Sequence, residues 1–173
     1  MRRVNVKGTS GSGKSTFGRE LAERLGVTYV ELDALHHGPN CAEPTAEEFQ
    51  ARVREAMDAN PDGWVIDGNY EAKLGDSLIG AADTIVWLDL PLPLKLRRVA
   101  RRTRKRIRDD VELWNGNKET WRNALWGRES LFAWLIRGHF RQRRAWPRLY
   151  GNDPRFVRLR SVAEARRWLD AQS

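Results

Sequence analysis

The sequence has a single cysteine, Cys41, so no internal disulfide can form and nothing points to an oxidising compartment. No apolar run approaches the ~20 residues that a membrane-spanning helix needs. The opening residues, MRRVNVKG, lack the apolar stretch and the small-residue cleavage site of a secretory leader; the expectation is a cytosolic protein. Histidine is scarce, with three in the chain. His36 and His37 are adjacent, which on most backbones points the rings apart and argues against a shared metal site, and His139 reads as a packed or surface residue of a helix. Repeats, low-complexity tracts and linkers are missing, as are helix-turn-helix, zinc-finger and RNA-motif signatures. At 173 residues the chain fits one domain, 1–173, able to bury roughly 70% of the surface its unfolded form exposes.

Positive charge, by contrast, is plentiful. Lys and Arg number 31 against 23 Asp and Glu, a net charge of +8 with a pI near 10.2. An anionic partner follows from this excess, and nucleotide phosphates, nucleic acid and acidic lipid are the candidates. Hydrophobic residues make up 40% of the chain, eight Trp among them, which is enough for a core without staples.

Apolar, β-rich segments alternate with helical ones. Strands are expected at Arg2–Lys7, Val27–Leu32, Trp64–Asp67, Thr84–Leu90 and Phe156–Arg160. Between the first two, Lys14–Leu25 carries Phe17, Leu21 and Leu25 at helical spacing, and Gly26 supplies a left-handed stop. Thr45 with Glu48, and Ser161 with Glu164, have the spacing of capping boxes. Such alternation implies a parallel sheet covered on both faces. The stretch Leu92–Tyr150 is too long for an ordinary crossover. It holds a dense basic run, Arg97–Arg108, a polar break at Asn115-Gly116-Asn117, and a helical pattern from about Trp121 to Arg144. It reads as a helical lid, within about 97–150, on a single domain. Trp121, Leu125, Phe132, Leu135, Ile136 and Phe140 are expected as its core stripe, and Arg137, Arg141, Arg143 and Arg144 are expected on a solvated face, with binding of an acceptor anion as the alternative.

The most specific signal is Gly8-Thr9-Ser10-Gly11-Ser12-Gly13-Lys14-Ser15, followed by Thr16. It matches GxxxxGK[ST] between a strand and a helix, where the mechanism needs it. Glycines let the backbone curl so that N–H groups face phosphate oxygens, and the helix that starts there turns its positive dipole end to the anion. Gly8, Ser10, Gly11, Ser12, Gly13, Lys14, Ser15 and Thr16 are therefore the expected nucleotide-binding residues. Lys14 reaches the β- and γ-phosphates and the Ser15 hydroxyl can ligate Mg²⁺. Asn117-Lys118-Glu119-Thr120 fails the Asn-Lys-x-Asp pattern of a guanine site at its fourth position, so ATP is the expected nucleotide. Two carboxylates stand at strand ends on the same edge, where ligands of open α/β sheets bind. Asp67 suits water-mediated magnesium binding, and Asp33 could accept a proton from an acceptor hydroxyl.

With these residues in place the chain resembles the adenylate-kinase-like P-loop kinases, and within them the topology modulation proteins. The resemblance rests on the phosphate loop, on Leu32-Asp33-Ala34-Leu35, on Ile66-Asp67-Gly68-Asn69-Tyr70, and on Val86-Trp87-Leu88-Asp89-Leu90-Pro91 before an Arg-rich helix. It implies a three-layer sandwich around a five-stranded parallel sheet in order 2-3-1-4-5, with a lid after the fourth strand. It also implies that Arg98 and Arg102, which match the pair ending the helix before the lid, clamp the nucleotide and the transferred phosphoryl. Asp33, Leu35, His36 and Asn40 resemble a segment of the gluconate kinases, which points to a hydroxyl acceptor. Two departures leave the acceptor open. Adenylate kinase follows its Asp-Gly with an aromatic, Pro and an Arg, where this chain has Asn69-Tyr70-Glu71; shikimate kinase has a glycine triplet, where this chain has only Gly68. The expected activity is transfer of phosphoryl from ATP·Mg²⁺ to a small molecule, with Lys14, Asp33, Arg98 and Arg102 as the catalytic set. The alternative is a nucleotide-dependent protein that grips nucleic acid through Arg97–Arg108.

Overall fold

The computed structural model describes residues 1–36, 43–111 and 130–172. Its sheet comprises β1 (Arg3–Lys7), β2 (Thr28–Glu31), β3 (Trp64–Asp67), β4 (Thr84–Leu88) and β5 (Phe156–Leu159), all parallel, in the order β2-β3-β1-β4-β5. Register aligns the strand ends: Val6 lies opposite both Asp67 and Val86, and Glu31 lies opposite Asp67. The residues that follow β1, β2 and β3 therefore emerge on one edge.

Period-two alternation along β1 divides the core. Val4 and Val6 pack with Phe17, Leu21, Val86 and Leu169 beneath α1 (Lys14–Leu25) and the C-terminal helix. The opposite face is a second cluster around Leu32, Phe49, Trp64, Ile66, Leu78 and Ile85. It is covered by α2 (Leu32–His36), α3 (Ala46–Asp58), α4 (Glu71–Leu74) and α5 (Ser77–Ala81). Then come α6 (Leu92–Arg108), α7 (Leu131–Tyr150) and α8 (Val162–Asp170). Burying two faces of a sheet demands apolar residues on both, as WVID and TIVWL supply.

Helix ends follow local chemistry. Gly26 closes α1 at φ 63°, and Thr45 and Glu48 form the reciprocal capping box of α3. At α8 the box is incomplete. Ser161 Oγ accepts from the Glu164 N–H, but the Glu164 carboxylate accepts from Arg160 N instead of Ser161 N. Four of the five strands are one or two residues shorter than expected, and the bounds of the long helix move. β2 stops at Glu31, because fully buried Leu32 turns into α2. β4 stops at Leu88, and Asp89 N–H continues to the Leu159 carbonyl at 2.8 Å. The long helix starts, within the described residues, at Leu131 under a Ser130 cap and runs through Pro147 to Tyr150. Trp121, Leu125 and the motifs at 115–120 lie outside the described residues.

Candidate active site

The loop between β1 and α1 has the shape its glycines permit. Gly8, Gly11 and Gly13 adopt φ 150°, 75° and 90°, and the Ser12 N–H closes a turn onto the Thr9 carbonyl at 3.1 Å. Two of its hydroxyls, Thr9 Oγ1 and Ser12 Oγ, are buried without a protein partner, which fits a loop built to receive an oxyanion. Lys14 is the first residue of α1.

Beside Lys14 lies a carboxylate corner. Asp67 is 1% exposed and its Oδ2 accepts from the Tyr29 hydroxyl at 2.8 Å. Burial pushes its carboxyl above the ordinary value, against the opposing pull of Lys14 and of hydrogen bonds from Tyr29 and Ser15. Ser15 Oγ also donates to Glu31 Oε1 at 3.3 Å, and burial together with the Asp67 charge raises Glu31 as well. A hydroxyl between two carboxylates, one of them also paired with Arg19 at 3.0 Å, is a hard-oxygen donor set that suits Mg²⁺. Among the described residues no group of three or more His, Cys, Asp and Glu could hold a metal ion, so an ion here needs phosphate oxygens and water to complete its shell. Glu31 is absent from the residues singled out in the sequence. The reading of Val27–Leu32 as uninterrupted strand hid that its Glu ends the strand.

Asp33 stands on α2 and not on an open loop, and its Oδ1 accepts from the Tyr70 hydroxyl at 2.7 Å. A carboxylate has further lone pairs, so it keeps the capacity to accept from a second hydroxyl. His36 is buried against Phe49 and Tyr70 and meets Lys73 Nζ at 2.6 Å through Nε2. His37, Asn40 and Cys41 lie outside the described residues.

The arginines of α6 divide by helical phase. Arg98 Nη1 donates to the Ser12 carbonyl at 3.2 Å and the Gly11 carbonyl at 3.4 Å, and Arg102 Nη2 donates to Ser10 Oγ at 2.9 Å. The spacing i, i+4 stacks both over the loop. Arg97, Arg101, Arg104, Lys105 and Arg108 are exposed. Close packing fixes this helix to the loop, since a Cβ at Gly11 would come within 2.6 Å of the Lys95 carbonyl oxygen. Arg98 and Arg102 therefore reach the loop without a lid movement.

On α7, Arg137, Arg141, Arg143 and Arg144 are all exposed, as expected of a solvated face, and Arg143 also reaches Asp89 at 2.9 Å, as Arg158 does at 2.6 Å. Asp89 is 1% exposed, and a buried carboxylate needs such partners. His139 is buried, with Nδ1 2.7 Å from Lys95 Nζ; burial and that neighbouring charge lower His139, and burial pulls Lys95 down to about 8. Sequence reasoning also missed Lys7, Asn69 and Glu71. Lys7 carried the one available signal, a charged residue at the end of an otherwise apolar strand.

Residues 4–121 match the family described as AAA domain. Among curated proteins the chain is 32% identical over 108 residues to a cytidylate kinase of Pyrococcus furiosus, covering 57% of this chain and 56% of that protein. It is 33% identical over 109 residues to a shikimate kinase of Synechococcus elongatus, covering 53% and 54%. The match thus spans little more than half the length of either relative. A solved gluconokinase of Sinorhizobium meliloti superposes with a TM-score of 0.56 at 21% identity, over 98% of this chain and 92% of that one. The last similarity is one of fold.

Proposed function

The chain belongs to the AAA domain family, and from that premise and the site geometry we propose that it is an ATP-dependent kinase, adenylate-kinase-like in plan, acting on a small-molecule acceptor. The observation that carries this reading is the gathering on one sheet edge of an anion-shaped loop, two arginines resting on it, and a separate carboxylate, Asp33. A nucleotide store needs the first alone. Lys14, Arg98 and Arg102 supply positive charge where the γ-phosphoryl group would move, and positioning plus charge is most of what phosphoryl transfer asks of a protein. Ser15 and, by way of water, Asp67 would hold Mg²⁺, which would supply positive charge against the β- and γ-phosphates. Asp33 accepts the acceptor's hydroxyl proton as the new O–P bond forms and the bond from phosphorus to the β–γ bridging oxygen breaks, leaving ADP. The acceptor is a nucleotide or a hydroxyl-bearing metabolite. The relatives named above carry the names of different acceptors, and this chain has Asn69-Tyr70-Glu71 where adenylate kinase has an aromatic, Pro and Arg.

A screen of metabolites for ATP-dependent product formation, with Lys14→Ala as the control, tests the reading. Products that form with the wild type and vanish in the variant support it; ATP affinity and turnover unchanged in Lys14→Ala would sink it. The exposed basic face of α6 favours a second reading, a nucleic-acid grip. That reading requires tight binding to DNA or RNA whose log affinity falls by about 0.9 per phosphate contacted as log salt rises.

A further inference from the structure

Three consecutive residues after β3 are tied to three different parts of the site. The Asn69 amide meets the Gly8 backbone twice, accepting from the Gly8 N–H at 3.0 Å and donating from Nδ2 to the Gly8 carbonyl at 2.6 Å. Tyr70 donates to Asp33, with its ring seated 4.6 Å from His36 and 5.0 Å from Phe49. Glu71 accepts from Lys7 Nζ, a lysine 1% exposed that also lies 5.2 Å from the Trp146 ring and 5.5 Å from the Tyr150 ring.

We propose that this turn is a positioning strap for the phosphate loop, in which Asn69 holds the loop in the shape that a triphosphate takes. The proposal rests on the ATP-binding reading above.

Gly8 is the hinge at which the chain leaves β1 and enters the loop. Its φ of 150° suits glycine, and a Cβ there would come within 2.6 Å of Ser12 Oγ. Glycine also has the most backbone freedom to lose, so a loop that starts on it needs an outside restraint to be pre-shaped. A planar amide that meets both the N–H and the C=O of one residue is such a restraint. It acts like a rung of a β-ladder and fixes the two peptides that flank the Gly8 Cα relative to each other. The amide is itself aimed by its neighbours: the Tyr70 ring is wedged between two aromatic partners, and Glu71 is drawn to a desolvated ammonium on the residue before Gly8. Burial lowers the Lys7 ammonium and Glu71 opposes that shift, so the pair is one that neither member can leave without stranding the other. Gripping residues 7 and 8 together, the strap fixes both the direction of β1 and the first bend of the loop.

Calorimetric titration of ATP·Mg²⁺ into the full chain, with a thermal melt of each variant, tests this. Asn69→Ala loses both contacts and binds ATP roughly 10-fold more weakly. Asn69→Asp has nearly the shape of Asn, but sets a carboxylate oxygen against the Gly8 carbonyl and adds a negative charge beside the phosphates; it binds more weakly still. The order Asn, Ala, Asp separates positioning from bulk packing. A purely structural residue would leave Asp nearest to wild type, with affinity following the loss in melting temperature. Wild-type affinity in folded Asn69→Ala or Asn69→Asp overturns the strap while Lys14→Ala still abolishes binding. No ATP binding by the wild type, or full binding by Lys14→Ala, overturns the ATP reading and the strap with it.

Discussion

Gly11→Ala tests whether α6 and the phosphate loop form one packed unit. Two costs add. Alanine at φ 75° sits in the left-handed region, worth about 1–2 kcal/mol against an L-residue. Its Cβ would also lie 2.6 Å from the Lys95 carbonyl oxygen and 2.9 Å from Val99 Cγ2, some 0.7 Å inside an ordinary carbon–oxygen contact. The blocking atom is main chain in a helix, so no rotamer change relieves it, and overpacking of this kind costs about 1–3 kcal/mol. The total is about 2–5 kcal/mol, or roughly 10 °C of melting temperature at this chain length. Gly26→Ala is the matched control: its φ is 63°, with no atom within 4 Å of the added Cβ, so it bears the conformational cost alone, about 1–2 kcal/mol. Thermal and urea unfolding of both variants gives the difference, and calorimetry follows ATP. Because Arg98 donates to the carbonyls of Gly11 and Ser12, a displaced loop also loses ATP affinity in Gly11→Ala and keeps it in Gly26→Ala. Two variants that melt alike and bind ATP alike would refute the packed-unit reasoning.

Asp33→Asn should keep ATP affinity while phosphoryl transfer slows by about 10²–10⁴-fold; collapse of ATP binding with an unchanged rate per bound ATP would remove Asp33 from the chemistry. Arg102→Ala should lower kcat by about 10²-fold and ATP affinity far less, as expected of a contact that acts on the transition state, and equal losses in both would assign it to binding alone. Asp67 has a pH signature. Burial raises its carboxyl above 3.8, so the folded protein holds that proton more tightly than the unfolded chain. The associated stability is present at and below the unfolded value and is lost as pH rises toward the folded one. Asp67→Asn should therefore melt above wild type at pH 7, with the gain shrinking as pH falls through the raised folded value and closed by about pH 4, and with magnesium-dependent turnover lost. Equal melting at pH 7 would show that the buried charge is already compensated.

Local sequence was enough wherever the determining interaction is local. Lys14–Leu25 and its Gly26 stop, the Thr45 box, the Trp64–Asp67 strand and the phosphate loop follow from hydrophobic period, capping chemistry and glycine placement within a dozen residues. The 2-3-1-4-5 sheet came with the family resemblance, because the order of parallel strands is a property of crossovers and not of any one segment. Arg98 and Arg102 were named from the same resemblance, and helical phase then explains why these two face the loop while five neighbouring cations face outward.

What the sequence determined by itself is a loop that curls between a strand and a helix: glycine conformations, a lysine and a helix N-terminus fall within eight residues of each other. Tertiary structure alone decided the surroundings of that loop. Glu31 joins Ser15, Asn69 pairs with Gly8 across 61 positions, Glu71 meets Lys7 across 64, and Arg143 and Arg158 share Asp89 across 54 and 69. Each is a polar group whose partner is far away in the chain. Period and capping rules register the residue type at one end of such a pair, but only the folded sheet, by drying the site and aligning its strand ends, determines which charge answers which.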